Sequence, residues 1–252
     1  MAPIRKALHA LTVGDPRTHA NLTLFPLLIA AGMNGDPGYM LLADALILGE
    51  ISLTEVADAG MVPRLRLVNR ADKPVLVVAG EELPTTRLSR TATISLLLPP
   101  QAMTELPMIP AEPGRRTDRS RSVEEPLPPG APEEVAGFIT AFVPEPHQVG
   151  AVAAVNGRVV GFELFDVPSS LGFHLPRLVR GWARHAASRV ARSRRQARRL
   201  EAELLITRAA EARTVSYDAI GEGTDVRYVE EHLTGAALLL DDRVVHLVVS
   251  EK

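Results

Sequence analysis

Cysteine is absent from this chain of 252 residues. Disulfides, thiolate zinc sites and cysteine nucleophiles are therefore excluded. Aromatic residues make up only 4% of the chain, with a single tryptophan, Trp182. Stacking platforms for nucleic-acid bases have little to be built from. No apolar run approaches the ~18 to 20 residues of a membrane span; the longest, such as LLIAAGM, are core-sized. The first residues, MAPIRKALHALTVGDP, lack the apolar stretch of a secretion signal. Neither sign of charge dominates, and a formal net charge of −2 gives no overall pull toward nucleic acid or membrane. HExxH and G-x-S-x-G are both missing, and the seven histidines show no paired metal spacing. The expectation is a cytoplasmic chain with no membrane segment and no metal site; the pattern names no particular cofactor. Its 46% hydrophobic content is enough for a sizeable core.

What is present reads largely as β structure. NLTLFPLLI predicts a buried strand over Leu22 to Leu28, with Pro26 marking an edge or a bend. GMNGDPG, from Gly32 to Gly38, is a turn or exposed loop. YMLLADALILGEI has helical spacing that lets Leu42, Ala45, Leu46 and Leu48 share a face, and ISLTEV alternates like a strand. In RLRLVNR, Leu65 and Leu67 alternate with Arg64 and Arg66; ADKP turns the chain, and VLVVAG returns as a buried strand, a hairpin pattern. TATISLLLPP is a further strand. Eleven of the chain's 20 prolines lie between Pro99 and Pro146. The segment near 110–132 is charged and poor in apolar residues, which predicts an exposed, poorly ordered crossover. PEEVAGFITAF then opens a helix, with proline and two glutamates in its first turn.

The second half contains an echo. VGAVAAVNGRVVGFELF from Val149 and TGAALLLDDRVVHLVVS from Thr234 align without a gap at an offset of 85 residues. Each reads as a hairpin, with a strong type I′ signal at Asn156-Gly157 and a weaker one at Asp241-Asp242. Duplication and convergence on good hairpin chemistry both account for it. Between the hairpins, residues 176–212 are rich in Ala, Arg, Leu and Glu and predict an arginine-rich helix. Trp182, Ala186 and Val190 would share one face, and Ala197, Leu200 and Leu204 another. The fold class is α+β: a single domain over 1–252, its largely antiparallel sheet built from hairpins with helices packed on one side.

Two features carry candidate chemistry. The buried run VLVVAG ends in Glu81 and Glu82, with Arg87 and Arg90 following. If the chain turns at Gly80, one carboxylate could face a pocket; if the strand continues, the two point to opposite faces and merely close it. The segment from Arg177 to Arg213 holds eleven arginines against three glutamates. Such a face can hold an anionic ligand, an acidic partner or a second copy of the chain, with nucleic acid the weakest of these readings. The simpler account, a solvated helix surface whose arginine stems cover core edges, is the favoured one. A lone strand histidine such as His246 reads as structural.

Four segments in order, LTVGDPRTHANLTLFPLL, VPRLRLVNRADKPVLVVAGEEL, VGAVAAVNGRVVGFELFD and TGAALLLDDRVVHLVV, resemble the bacterial ARG and rhodanese-phosphatase-superfamily-associated proteins. That family is named for its genomic company with ADP-ribosylglycohydrolases and rhodanese-like phosphatases. The resemblance covers nearly the whole chain. It implies one α+β domain and a ligand-binding or accessory role around ADP-ribose and NAD, and it brings no reaction with it. Typical members read approximately Asp-Gly-Glu-Glu-Leu, then a polar loop ending in Arg. Here Gly80, Glu81, Glu82, Leu83 and Arg90 match, while Ala79 replaces the Asp and PTTRLS the polar loop. In a later segment, AEPGRR, Glu112, Gly114 and Arg115 match, whereas the family's Gln, Trp and Cys do not. The departures fall at polar positions while the hairpins stay close, as when a scaffold is kept and its ligand chemistry altered or lost. The resemblance nominates Glu81, Glu82, Arg90, Glu112 and Arg115 for an anionic small molecule. Arginines would hold phosphate, and glutamates would bind ribose hydroxyls or a hard cation such as Mg²⁺. An enzyme version would use Glu81 or Glu82 as a general base. The alternative from another class is an interaction or self-assembly scaffold using the arginine-rich helix 176–212, without catalysis.

Overall fold

The computed structural model describes residues 2–32, 35–56, 64–84, 90–107, 131–187 and 195–252. In chain order the elements begin with α1 (Ala2–His9), β1 (Thr12–Val13), β2 (Arg17–His19), β3 (Leu22–Leu28), β4 (Met40–Leu41), α2 (Leu42–Ile47) and β5 (Ile51–Val56). Then come β6 (Arg64–Asn69), β7 (Val75–Val77), β8 (Glu82–Leu83), β9 (Arg90–Thr91), β10 (Leu96–Leu98) and β11 (Ala102–Pro107). The second half holds α3 (Ala131–Ala141), β12 (Gln148–Val155), β13 (Arg158–Phe165), α4 (Pro168–Ala187) and α5 (Arg199–Glu211). It ends with β14 (Thr214–Asp218), β15 (Thr224–Tyr228), β16 (Leu233–Leu240) and β17 (Arg243–Glu251). The class is α+β with a largely antiparallel main sheet, as the sequence predicts. Contacts group the residues into two units, one of 1–35, 124–216 and 226–252, the other of 36–123 and 217–225. The crossover expected near 110–132 falls almost wholly outside the described residues. Among the described residues, no helix is long and apolar enough to cross a membrane.

The first unit is built on a sheet ordered β1-β3-β12-β13-β17-β16-β15-β14, with β2 also on β3. The two echoing hairpins are its centre, β12 with β13 and β16 with β17. Both turns take the positive φ of type I′: 52° and 74° at Asn156 and Gly157, 48° and 60° at Asp241 and Asp242. Both hairpins also bulge at the same place. The register slips between Ala153 and Ala154 in one and between Leu238 and Leu239, 85 residues on, in the other. Their second strands pair with each other, Glu163 opposite Val248, which are themselves equivalent positions. An approximate two-fold axis therefore passes through that pair. Pro26 lies inside the sheet and not at its edge. Its carbonyl accepts the Gly14 N–H at 2.8 Å, so its ring nitrogen faces the side where β1 and β2 part.

Helices cover both faces of this sheet, and not one side only. Phe162 and Leu164 of β13 share a core with Ile4 and Leu8 of α1 and with Ala202, Leu205, Ile206 and Ala209 of α5. Glu163 and Phe165 alternate to the other face, where the ring of His174 from α4 stacks on Phe165. The arginine-rich segment is thus not one helix. Residues 195–198 are non-helical, and α4 and α5 serve opposite faces. The face expected on α5 is also rotated: Leu200 and Leu204 are exposed, and alanines face inward because small side chains let the helix sit close to the sheet. At the first turn, a Cβ on Gly157 would stand 2.2 Å from the Arg195 carbonyl oxygen, at φ 74°. Gly157→Ala is therefore expected to cost about 2–3 kcal/mol, read as a lowered urea midpoint.

The second unit holds two three-stranded sheets, β10-β7-β4 and β11-β6-β5, and the short pair β8-β9. The hairpin read from RLRLVNR to VLVVAG does not form. β6 is bonded on both edges, by β5 and β11, so β7 pairs instead with β10 and, in parallel, with β4. What turns the chain between them is Asn69, 1% exposed. Its Oδ1 accepts the Ala71 N–H at 2.9 Å. Its Nδ2 donates to the carbonyls of Lys73, Leu98 and Pro99 at 3.0, 3.2 and 2.9 Å. On α2, Leu42 and Ala45 are buried as expected, whereas Leu48 is exposed, because the helix ends at Ile47.

Candidate functional site

The nominated carboxylates lie in the second unit, where VLVV is buried to its last residue. Gly80 then takes φ 87° and the chain reverses. Glu81 is 7% exposed. Its N–H donates to the Val78 carbonyl at 2.9 Å, and its Oε2 accepts the Val78 N–H at 2.6 Å. This carboxylate therefore closes the turn from inside. The Gly80 N–H donates to the Ala92 carbonyl at 2.7 Å, and the Ala92 N–H donates to the Glu81 carbonyl at 2.8 Å. These bonds lead into β8 and β9, with Glu82 opposite Thr91 and Leu83 opposite Arg90. Glu82 is exposed and Leu83 buried. The two adjacent acids thus part, one inward and one to solvent. Arg90 is placed by its backbone alone, and Glu112 and Arg115 lie outside the described residues.

Of the described arginines of 176–212, most are engaged by the protein's own acids. Arg177 stands 3.5 Å from Glu163, Arg199 3.1 Å from Glu203, and Arg208 2.7 Å from Glu251. Arg195 and Arg198 both pair with Glu201. Side chains with such partners form a charge-balanced surface more than an open cationic stripe.

A second polar cluster, in the first unit, was not singled out by sequence reasoning beyond the remark on His246. Nε2 of His246 lies 2.9 Å from Glu163 Oε1, with their side chains 2% and 13% exposed. The same Glu163 oxygen faces Arg177. Phe165 lies between two imidazoles: its ring is stacked on His174 at 5.0 Å and 7°, and tilted on His246 at 4.8 Å. Burial first, then the charge of Arg177 and His246, brings the pKa of His174 down to about 3, against the opposing pull of Glu163. His174 is accordingly neutral near pH 7. Next in sequence to Phe165, Asp166 stands 3.5 Å from Arg243 with its own side chain 2% exposed. The sequence signal for this cluster is a charge inside an apolar run, GFELFD and RVVHLVV. Among the described residues, no group of three or more His, Asp or Glu side chains is arranged to hold a metal ion.

A family model described as the ARG and Rhodanese-Phosphatase-superfamily-associated Protein domain matches residues 10–127 and 129–250. No curated protein matches the chain, and no solved structure does.

Proposed function

Because the chain belongs to the ARG and rhodanese-phosphatase-superfamily-associated protein family, we propose that it is a ligand-binding or accessory protein acting around ADP-ribose or NAD. The paired strands β8 and β9, at the reversal after Gly80, are where an anionic small molecule would bind. The observation that supports this most is the division of labour between the two acids. Glu81 locks the reversal from within and Glu82 is left exposed, while Arg90 stands opposite Leu83 on the partner strand. A guanidinium suits phosphate, and a surface carboxylate suits ribose hydroxyls. The rival reading, a scaffold docking through the arginines of 176–212, draws less support because most of the described arginines there already face acids. Titration calorimetry with ADP-ribose tests the first reading. Saturable binding is expected, weakened about tenfold or more by Arg90→Ala through loss of a charge-assisted contact, and several-fold by Glu82→Gln. Binding equal in wild type and both variants would remove the hairpin from consideration, and no heat at millimolar ligand would remove this ligand class.

A further inference from the structure

We propose that α4 is a proton-operated latch: its first half lies on the sheet while His174 is uncharged and lifts when that imidazole takes up a proton. The placement of the ring supports this. His174 is 1% exposed, flat against Phe165 and edge-on to Phe173 at 5.1 Å. Leu171 and Leu175, 0% and 2% exposed, flank it on the same helix. A cation formed there would be enclosed between helix and sheet, against Phe165 and out of reach of bulk water.

The charges around it do not welcome a further proton. Arg177 faces it from its own helix and His246 from β17. Glu163 of β13 attracts it, but that carboxylate is already shared between His246 at 2.9 Å and Arg177 at 3.5 Å. Of the other elements packed on α4, β3 and β12 carry no titratable side chain, and those of α3 are Glu133 and Glu134 in its first turn.

The helix is also weakest where this ring sits. Pro176 lies inside it and cannot donate an N–H to the carbonyl one turn earlier, that of Gly172. Gly172 adds backbone freedom, and a Cβ there would meet nothing within 4 Å, so packing does not require it. The two bracket His174. The stretch from Pro168 to Leu175 can therefore detach without unwinding the rest. Detachment restores an ordinary histidine near 6.5 from one near 3, so the lifted state binds a proton that the docked state refuses. Docking strength is full above about pH 6.5, and the opening constant grows roughly tenfold for each pH unit below it, saturating near pH 3.

Hydrogen exchange read by mass spectrometry on the full chain tests this, with intrinsic rates corrected for pH. Between pH 7.5 and 5.0 the amides of 171–175 are expected to lose protection by roughly 30-fold, while those of β13 and β17 hold. His174→Phe, which keeps a flat ring, and His174→Gln, which keeps a polar group, are each expected to shrink that loss below about threefold. An unchanged wild type would overturn the latch. So would equal losses in wild type and both variants, or a loss of the same size throughout β13 and β17, which marks global acid unfolding.

Discussion

Replacing Asn69 with leucine is expected to destabilise the chain by about 3–5 kcal/mol in urea unfolding followed by circular dichroism. The side chain is wholly enclosed, and its four polar contacts join the end of β6, the 69–73 turn and the end of β10. Leucine matches its bulk but returns none of them. The Ala71 N–H and several carbonyls would be left in a buried site, where each unmet group costs about 1–3 kcal/mol before relaxation. Asn69→Asp separates this account from a simple packing defect. Aspartate retains the acceptor for Ala71 but turns a second carboxylate oxygen toward the carbonyls that Nδ2 now serves. It is expected to be at least as damaging as leucine at pH 7.5 and to recover part of the loss on acidification, when the protonated acid can donate. A loss below about 1 kcal/mol for both would show that the turn is held by something else.

The second large effect concerns Glu163. Glu163→Val removes the carboxylate that His246 and Arg177 share. Breaking a buried pair from one side costs about 3–5 kcal/mol, most of it the penalty on the partner left behind. Glu163→Gln keeps shape and hydrogen bonding and is expected to cost about 1–2 kcal/mol. The approximate two-fold axis suggests the informative control. Val248 occupies the equivalent position in the other hairpin, and β-branched residues suit both strands. The double variant Glu163→Val with His246→Val is therefore expected to be no worse than Glu163→Val alone, giving a coupling of about 2 kcal/mol or more in a double-mutant cycle. Unfolding at pH 7.5 keeps the titration of His174 out of this measurement. Additive losses would mean that the two side chains do not act together.

The sequence disclosed the elements better than their partners. Period-two alternation and turn chemistry are local, so β3, β5, β6 and both I′ hairpins could be read directly, down to the residues of positive φ. Pairing is not local. Nothing in RLRLVNR shows that both its edges are taken, so its apparent partner was assigned by proximity alone. The phase of α5 was misjudged because leucine outranks alanine in apolarity, whereas close helix–sheet contact selects alanine. The arginines looked like one stripe because their acids, Glu163, Glu251 and Asp15, are distant in sequence. Of the nominated site, the parting of Glu81 and Glu82 follows from strand alternation; that Glu81 bonds the Val78 N–H does not, since it depends on how sharply Gly80 turns. Family resemblance named the scaffold, and hairpin chemistry is why it stayed recognisable.

The twin hairpins bear on the order in which the sheet assembles. Each closes over two residues that already favour the turn, an event of about 1–10 microseconds. The costly encounter, joining segments 85 positions apart, is then confined to the contact of β13 with β17. Four central strands therefore need a single distant meeting between two ready-made ribbons, and that meeting sets the pace for the strands added outside them.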